Sequence, residues 1–233
     1  MSNTRLFFHE SLSINFSSKL DKSQSHYLYK VMRMDIGKNF SLFNKSGEWE
    51  AKITHISNGI IAFIITKKLR SNLDKKEIWL AFAPIKLNYL NLMIQKATEL
   101  GVTKFIPILT DRTIVRKLNY KRINKIIIEA SEQSNRLEIP EFDEIIKLDK
   151  FIKEYKKTKI IFGDLNSQNS NLSLKNSEPI CILVGPEGDF TVNERDKILK
   201  HKKIIPLKIN ENILRSETAA LTMISIISFK LLL

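Results

Sequence analysis

Two segments of the chain place glycine, carboxylate and guanidinium groups directly after apolar runs. The first is ILVGPEGDF, residues 182–190, where an apolar run ends in Gly185-Pro186-Glu187-Gly188. Glycines at the end of a buried strand let backbone amides approach a ligand closely. Pro186 stiffens the loop, and Thr191-Val192-Asn193-Glu194 reads as a capping box that opens the next helix. The second is NENILRSETAA, residues 210–220, which also follows an apolar run and opens a helix. Ser216 or Glu217 near that helix start suits its positive end. Two such loops side by side would cradle one ligand. Neither carries a Walker lysine pattern, and no G-x-G-x-x-G is present, which argues against nucleoside triphosphate and dinucleotide sites. As a bare strand–glycine–helix pattern, either loop is also compatible with an ordinary turn.

The elements around these loops fall into two patterns. Residues 41–44, 49–56 and 60–68 are rich in β-branched and aromatic residues and are separated by Lys45-Ser46-Gly47 and Ser57-Asn58-Gly59. Asn58-Gly59 predicts a tight hairpin, because both residues tolerate positive φ. A short helix is expected over Ser23–Met32. Residues 1–70 thus read as a small, mostly β domain, 71–77 as a polar linker, and 78–233 as a second domain. In the second domain, strands IWLAFAPI, KFIPIL, KIIFG, PICILVG and IIPLKI alternate with helices LNYLNLMIQKATELG, YKRINKIIIEASEQSNR and ETAALTMISIISFKLLL. Continuous apolar strands alternating with helices imply an α/β fold, a parallel sheet covered on both faces. Ligands of such sheets sit beyond the carboxyl ends of the strands.

Composition narrows the class. The 233 residues carry 38 Lys+Arg against 25 Asp+Glu, a net charge of +13, with 43% hydrophobic residues. That much apolar side chain supports a packed core rather than disorder. Lysine, isoleucine and asparagine are abundant while arginines number only nine, a skew that AT-rich coding also produces. The charge therefore reads either as a solvated lysine surface or as the footprint of an anionic partner such as nucleic acid. Residues 1–70 hold 11 basic and 5 acidic side chains, about twice the net charge per residue of the remainder. The single Cys181 excludes a disulfide scaffold and reads as a buried small hydrophobe. His9, His55 and His201 lack paired metal-ligand spacing, so no metal site is expected. MSNTRLFFHE has no apolar signal core, and the closing helix carries Glu217 and Lys230. A cytoplasmic protein with no membrane span is expected.

Taken in order, several motifs resemble one family. GPEGDF with Thr191-x-x-Glu194, ILRSETAA, HYLYKVMRMDIG (26–37), KATELGV (96–102) and EASEQSNR (129–136) resemble the RsmE family. These are bacterial 16S ribosomal RNA (uracil-N3)-methyltransferases of the SPOUT superfamily. The resemblance covers nearly the whole chain. It implies a SPOUT-type knotted parallel-sheet methyltransferase domain over 78–233, with a C-terminal trefoil knot, preceded by a small PUA-like RNA-binding β-barrel over 1–70. It implies S-adenosyl-L-methionine as cofactor, 16S rRNA of the small ribosomal subunit as substrate, and a homodimer formed through the methyltransferase domain. The alternative from another class is a non-catalytic RNA-binding ribosome-assembly protein with a degenerate cofactor loop.

The resemblance also implies site residues. Val184, Gly185, Glu187, Gly188, Ile209, Asn212, Leu214 and Thr218 would hold the cofactor, largely through backbone groups. The catalytic candidates are Arg136 or Arg215 as the stabilising cation, with Glu217 orienting an arginine or assisting proton removal. Uracil N3 is a poor nucleophile until its proton leaves, so a cation that stabilises charge on the flanking carbonyls is needed. Arg5, His26, Tyr27, Lys30 and Arg33 would face RNA. The family commonly has Leu-Gly-x-Arg where this chain has Ile209-Asn210-Glu211-Asn212. Asn210 is expected to replace the glycine in a left-handed conformation. Asn212 carries no guanidinium charge. Asp189 stands where the family often has a second glycine.

Overall fold

The structure is a computed structural model that describes residues 4–71, 76–174 and 178–232. Residues 72–75 of the expected linker and 175–177 of the polar loop lie outside the described residues. The chain divides into two compact units, Met1–Asp74 with Ser131–Ile139, and Lys75–Ala130 with Pro140–Leu233.

The first unit is built on one five-stranded sheet. Strands β1 (Arg5–Phe7), β2 (Ser17–Lys19), β3 (Asn39–Asn44), β4 (Gly47–Ser57) and β5 (Ile60–Arg70) lie in the order β1-β3-β4-β5-β2. The β4–β5 turn has Asn58 at φ 49° and Gly59 at φ 74°, the conformation that the Asn-Gly pair predicts. Register shifts at Glu48/Trp49, Glu50/Ala51 and Ile53/His55 bend the long hairpin. Its inner face packs Leu6, Leu28, Phe40, Leu42, Ile53 and Phe63 into one core. The helix expected over Ser23–Met32 is split. An α-helical turn α1 (Lys22–His26), capped by Asp21 Oδ1 on Gln24 N at 2.8 Å, passes into a π-helical turn over Tyr27–Val31.

The short strands β1 and β2 carry too few residues for a readable alternation. Ser131–Ile139, expected within the second domain, gathers with the first unit instead. The cause is a charged cluster. Arg5 Nη1 donates to Glu132 O at 2.9 Å and Nη2 to Arg136 O at 2.6 Å, while Arg70 Nη2 donates to Asn135 Oδ1 at 2.8 Å. Both arginines also bind Glu48, through Nε contacts of 2.9 and 2.7 Å.

The second unit carries a parallel sheet. Strands β6 (Ile78–Phe82), β7 (Lys104–Leu109), β8 (Glu141–Phe142), β10 (Lys159–Gly163), β11 (Ile180–Val184) and β12 (Ile204–Leu207) run in the order β12-β10-β11-β6-β7-β8, and β9 (Ile146–Lys147) pairs β7. Every residue of β11 is buried, as its unbroken apolar sequence demands. Cys181 and Leu183 face a cluster with Phe151 of α4 (Leu148–Glu154) and Ile198 of α5 (Val192–Leu199). On the other side α6 (Ser216–Leu232) contacts β11, β6 and α2 (Leu87–Glu99). Helix α3 (Tyr120–Gln133) completes the set. The expected strand over 78–85 ends at Phe82, and β8, β9 and α4 were not legible in the sequence. Two of these are two-residue strands, too short for any period to show. No described helix is long and apolar enough to cross a membrane, and no described cluster of His, Cys, Asp or Glu could hold a metal ion.

Candidate active site

The carboxyl ends of β10, β11 and β12 open into one cavity of about 430 Å³. Its size falls in the range of small-molecule sites. The strands deliver three loops to it. Gly163 ends β10 and Asp164 follows it, Val184 ends β11 and Gly185 to Glu187 follow it, and Ile209, Asn210 and Asn212 to Arg215 follow β12 and lead into Ser216 and Glu217 at the start of α6. Lys86 and Tyr89, at the start of α2, line it as well.

Local chemistry holds these loops in place. Ser216 Oγ donates to Gly185 O at 2.7 Å, which ties the start of α6 to the end of β11. Gly185 allows no side chain, because a Cβ there would lie 2.9 Å from Phe190 Cε2. Asp189 has φ 59°, so the position that often carries glycine in the family does require a left-handed residue. Asp189 meets that requirement with a side chain that accepts from Phe190 N at 2.7 Å. The capping box forms as its sequence predicts. Glu194 N donates to Thr191 Oγ1 at 3.2 Å and Thr191 N to Glu194 Oε2 at 2.9 Å. The other Glu194 oxygen accepts from Asp111 N at 2.8 Å. Gly188 O accepts from Arg112 Nη1 at 2.7 Å.

Asp164 is almost fully buried, and Arg195 engages both its oxygens at 3.2 and 2.7 Å. That hydrogen bond raises the Arg195 pKa further, despite a small opposing cost of burial. The carboxylate is thus neutralised and held as a wall of the cavity. The cations that line it are Lys86 and Arg215. Arg215 Nη1 donates to Tyr89 OH at 3.0 Å, and its guanidinium carbon lies 5.3 Å from the Tyr89 ring centroid. Glu217 is buried in the first turn of α6, where the helix dipole favours a carboxylate.

Of the expected cofactor residues, Val184, Gly185, Glu187, Ile209, Asn212 and Leu214 line the cavity. Gly188 and Thr218 flank it in sequence without lining it. Of the expected catalytic residues, Arg215 and Glu217 line it. Arg136 is not in the lining and sits buried in the first unit, where desolvation lowers its pKa to about 10 against the charge of Glu138. Asn210 also lines the cavity, but corrects one expectation. It is not among the described residues with positive φ. Its Oδ1 accepts from Asn212 N at 2.8 Å, so the side chain makes the turn that a glycine would make with its backbone. The sequence reading missed Asp164, Lys86 and Tyr89. Asp164 follows an apolar strand and had that much signal. Lys86 and Tyr89 had none, because only the sheet order brings α2 beside β11.

In the first unit, His26, Lys30 and Arg33 are exposed, and Tyr27 is half-buried against the core. Lys30 Nζ lies 4.5 Å from the Tyr29 ring centroid. Arg33 has φ 52°. Arg5 differs from the other members of its expected group. Its guanidinium is engaged by Glu48 and by carbonyls at the end of α3, and it lies 4.4 Å from the Phe43 ring centroid. These contacts tie β1 to that segment.

The chain joins a parallel α/β sheet, with a glycine-lined cavity at its carboxyl edge, to a small β unit, and the comparisons place this combination among RNA methyltransferases. The family model for the RNA methyltransferase domain matches residues 72–228, and that for the RNA methyltransferase PUA domain matches residues 20–66. Ribosomal RNA small subunit methyltransferase E of Rickettsia conorii is 33% identical over 97% of this chain and 95% of its own length. The protein of the same name from Buchnera aphidicola subsp. Schizaphis graminum is 32% identical over 97% and 96%. The crystal structure of ribosomal RNA small subunit methyltransferase E from Neisseria gonorrhoeae, bound to S-adenosyl methionine, superposes with a TM-score of 0.89 at 25% identity, covering 98% of each chain. The chain belongs to the family of ribosomal RNA small subunit methyltransferase E, RsmE.

Proposed function

We propose that the protein methylates N3 of a uridine in 16S rRNA of the small ribosomal subunit, using S-adenosylmethionine. The observation that carries this reading is the cavity at the ends of β10–β12, walled by two loops that Ser216 cross-ties through Gly185 O. The residues fit such a ligand. Val184, Leu207, Ile209 and Leu214 supply apolar surface for a purine ring, and Gly185 lets the loop run close over Phe190 at the cavity wall. When bound, S-adenosylmethionine supplies a methyl group already activated as a sulfonium.

The chain's own groups then act on the base. Arg215, which lines the cavity, stabilises negative charge on the uracil carbonyls as N3 loses its proton. Glu217 orients a donor or takes that proton. Arg136 is the alternative cation for that step, and a homodimer joins through the methyltransferase domain. His26, Tyr27, Lys30 and Arg33 grip RNA by phosphate contacts and ring stacking. The domain assignment proposed is 1–70 for RNA binding and 78–233 for chemistry. A C-terminal trefoil knot is proposed as well. It is supported by a sheet order that puts β12 beyond β10 while the following α6 returns to β11 and β6. A cytoplasmic location goes with a ribosomal substrate.

The test is methylation of small subunits that lack the modification, followed by mapping of the product. N3-methyluridine at a single position is expected. Absence of methyl transfer, with no stabilisation by S-adenosylhomocysteine in a thermal-shift assay, would favour a binding-only protein.

A further inference from the structure

We infer that Tyr89 is a positioning residue for Arg215, an inference that rests on the catalytic role proposed for that arginine. Arg215 is an exposed side chain on a loop, and a free guanidinium there samples many rotamers. Electrostatic stabilisation needs its donors fixed before the charge develops, because reorientation during the reaction costs what the interaction would supply. Tyr89, 126 residues away, meets that need at two points. Its phenol oxygen accepts one N–H from Nη1 at 3.0 Å, and its ring lies 5.3 Å from the guanidinium carbon. The distance is within the range where a ring face attracts a cation. A guanidinium has five N–H donors, so this contact leaves others for a substrate carbonyl. Both residues line the cavity.

Tyr89 is carried by the first turn of α2, whose Leu90, Met93, Ile94 and Ala97 are buried. The anchor is therefore a packed helix, and the group it fixes is on a loop. The phenol accepts from the arginine, and its own O–H remains available to donate. Tyr89 lines the cavity 38% exposed, with its hydroxyl engaged by the arginine.

The experiment compares Tyr89→Phe, Tyr89→Ala, Arg215→Ala and Arg215→Ala/Tyr89→Phe in the full chain. It measures kcat on unmodified small subunits and S-adenosylhomocysteine affinity by calorimetry. Tyr89→Phe keeps the ring and loses the hydrogen bond, so kcat is expected to fall on the order of three- to tenfold. Tyr89→Ala loses both contacts and is expected to fall further, while ligand affinity holds within about twofold, because the loops bind through backbone. In the Arg215→Ala background, Tyr89→Phe is expected to have no added effect. A multiplicative effect there, or unchanged kcat in both Tyr89 variants, overturns the positioning role alone. Normal turnover by Arg215→Ala overturns the arginine's catalytic role, and the positioning role with it.

Discussion

Gly185→Ala probes the geometry of the cavity more directly than any charge change. The added methyl would lie 2.9 Å from Phe190 Cε2 and 3.1 Å from Cδ2. Comfortable carbon contacts fall near about 3.5–4.0 Å, so the ring or the loop must give way by roughly half an ångström or more. The ring has little room. Phe190 is 6% exposed and packs on Phe162 with centroids 5.5 Å apart. Overpacking of this kind costs about 1–3 kcal/mol. Replacing glycine by alanine also restricts the unfolded chain, which returns about 0.4–1 kcal/mol. The net expectation is a loss of about 1–2 kcal/mol, or roughly 2–8 °C in Tm for a chain of this size. Ligand binding should suffer beyond stability, because Gly185 O is the acceptor that ties Ser216 and hence α6 to β11. The assay is thermal denaturation with and without saturating S-adenosylhomocysteine. Gly185→Ala/Phe190→Leu supplies the control, since a ring clash predicts that the second change costs less in the alanine background than in the native one. An unchanged Tm with full stabilisation by ligand would refute the steric argument.

Other expectations follow from single contacts. Thr191→Ala removes the acceptor for Glu194 N and should cost about 1 kcal/mol in urea denaturation. Glu194→Ala should cost more, because it also strands Asp111 N. Burial alone would raise the Glu48 pKa, but hydrogen bonds and charge from Arg70 and Arg5 hold it below its ordinary value. Its stabilising contribution is therefore present above the ordinary carboxylate pKa and lost as pH falls through the lower folded value. Glu48→Gln should unfold more easily at pH 7, by about 1–3 kcal/mol, since Arg5 is largely buried but Arg70 is partly exposed to solvent, and the difference from native should shrink in acid. Cys181 is fully buried, and desolvation pushes its thiol up to about 12. It should resist thiol reagents at pH 8 in the native state and react once denaturant unfolds the sheet.

Much of the framework is local and therefore readable from the chain. The Asn58-Gly59 hairpin, the Thr191–Glu194 capping box and the apolar run of β11 each depend on residues within a few positions of one another. The loop of Gly185 and the loop over 210–220 share that property, since each is recognisable from an apolar run followed by the opening of a helix. Arg5 shows the opposite case. The resemblance implies an RNA contact for it, and only the tertiary structure brings its guanidinium to Glu48 and to carbonyls of the 131–136 segment. Asn210 failed on a finer point, since a side-chain hydrogen bond replaced the backbone conformation that its residue type permits.

The sequence by itself determined the longer strands and helices, the parallel sheet and two of the loops that build the cavity, because periodicity, capping and turn chemistry act over short range. Tertiary structure alone decided which distant groups meet there. Sheet order brings Lys86 and Tyr89 of α2 to the loop of Arg215, and Arg195 to Asp164. No local pattern encodes these pairings, because they arise from where the crossovers place each strand. The same limit applies to Ser131–Ile139, which buried arginine contacts draw into the first unit although it continues directly from a helix of the second.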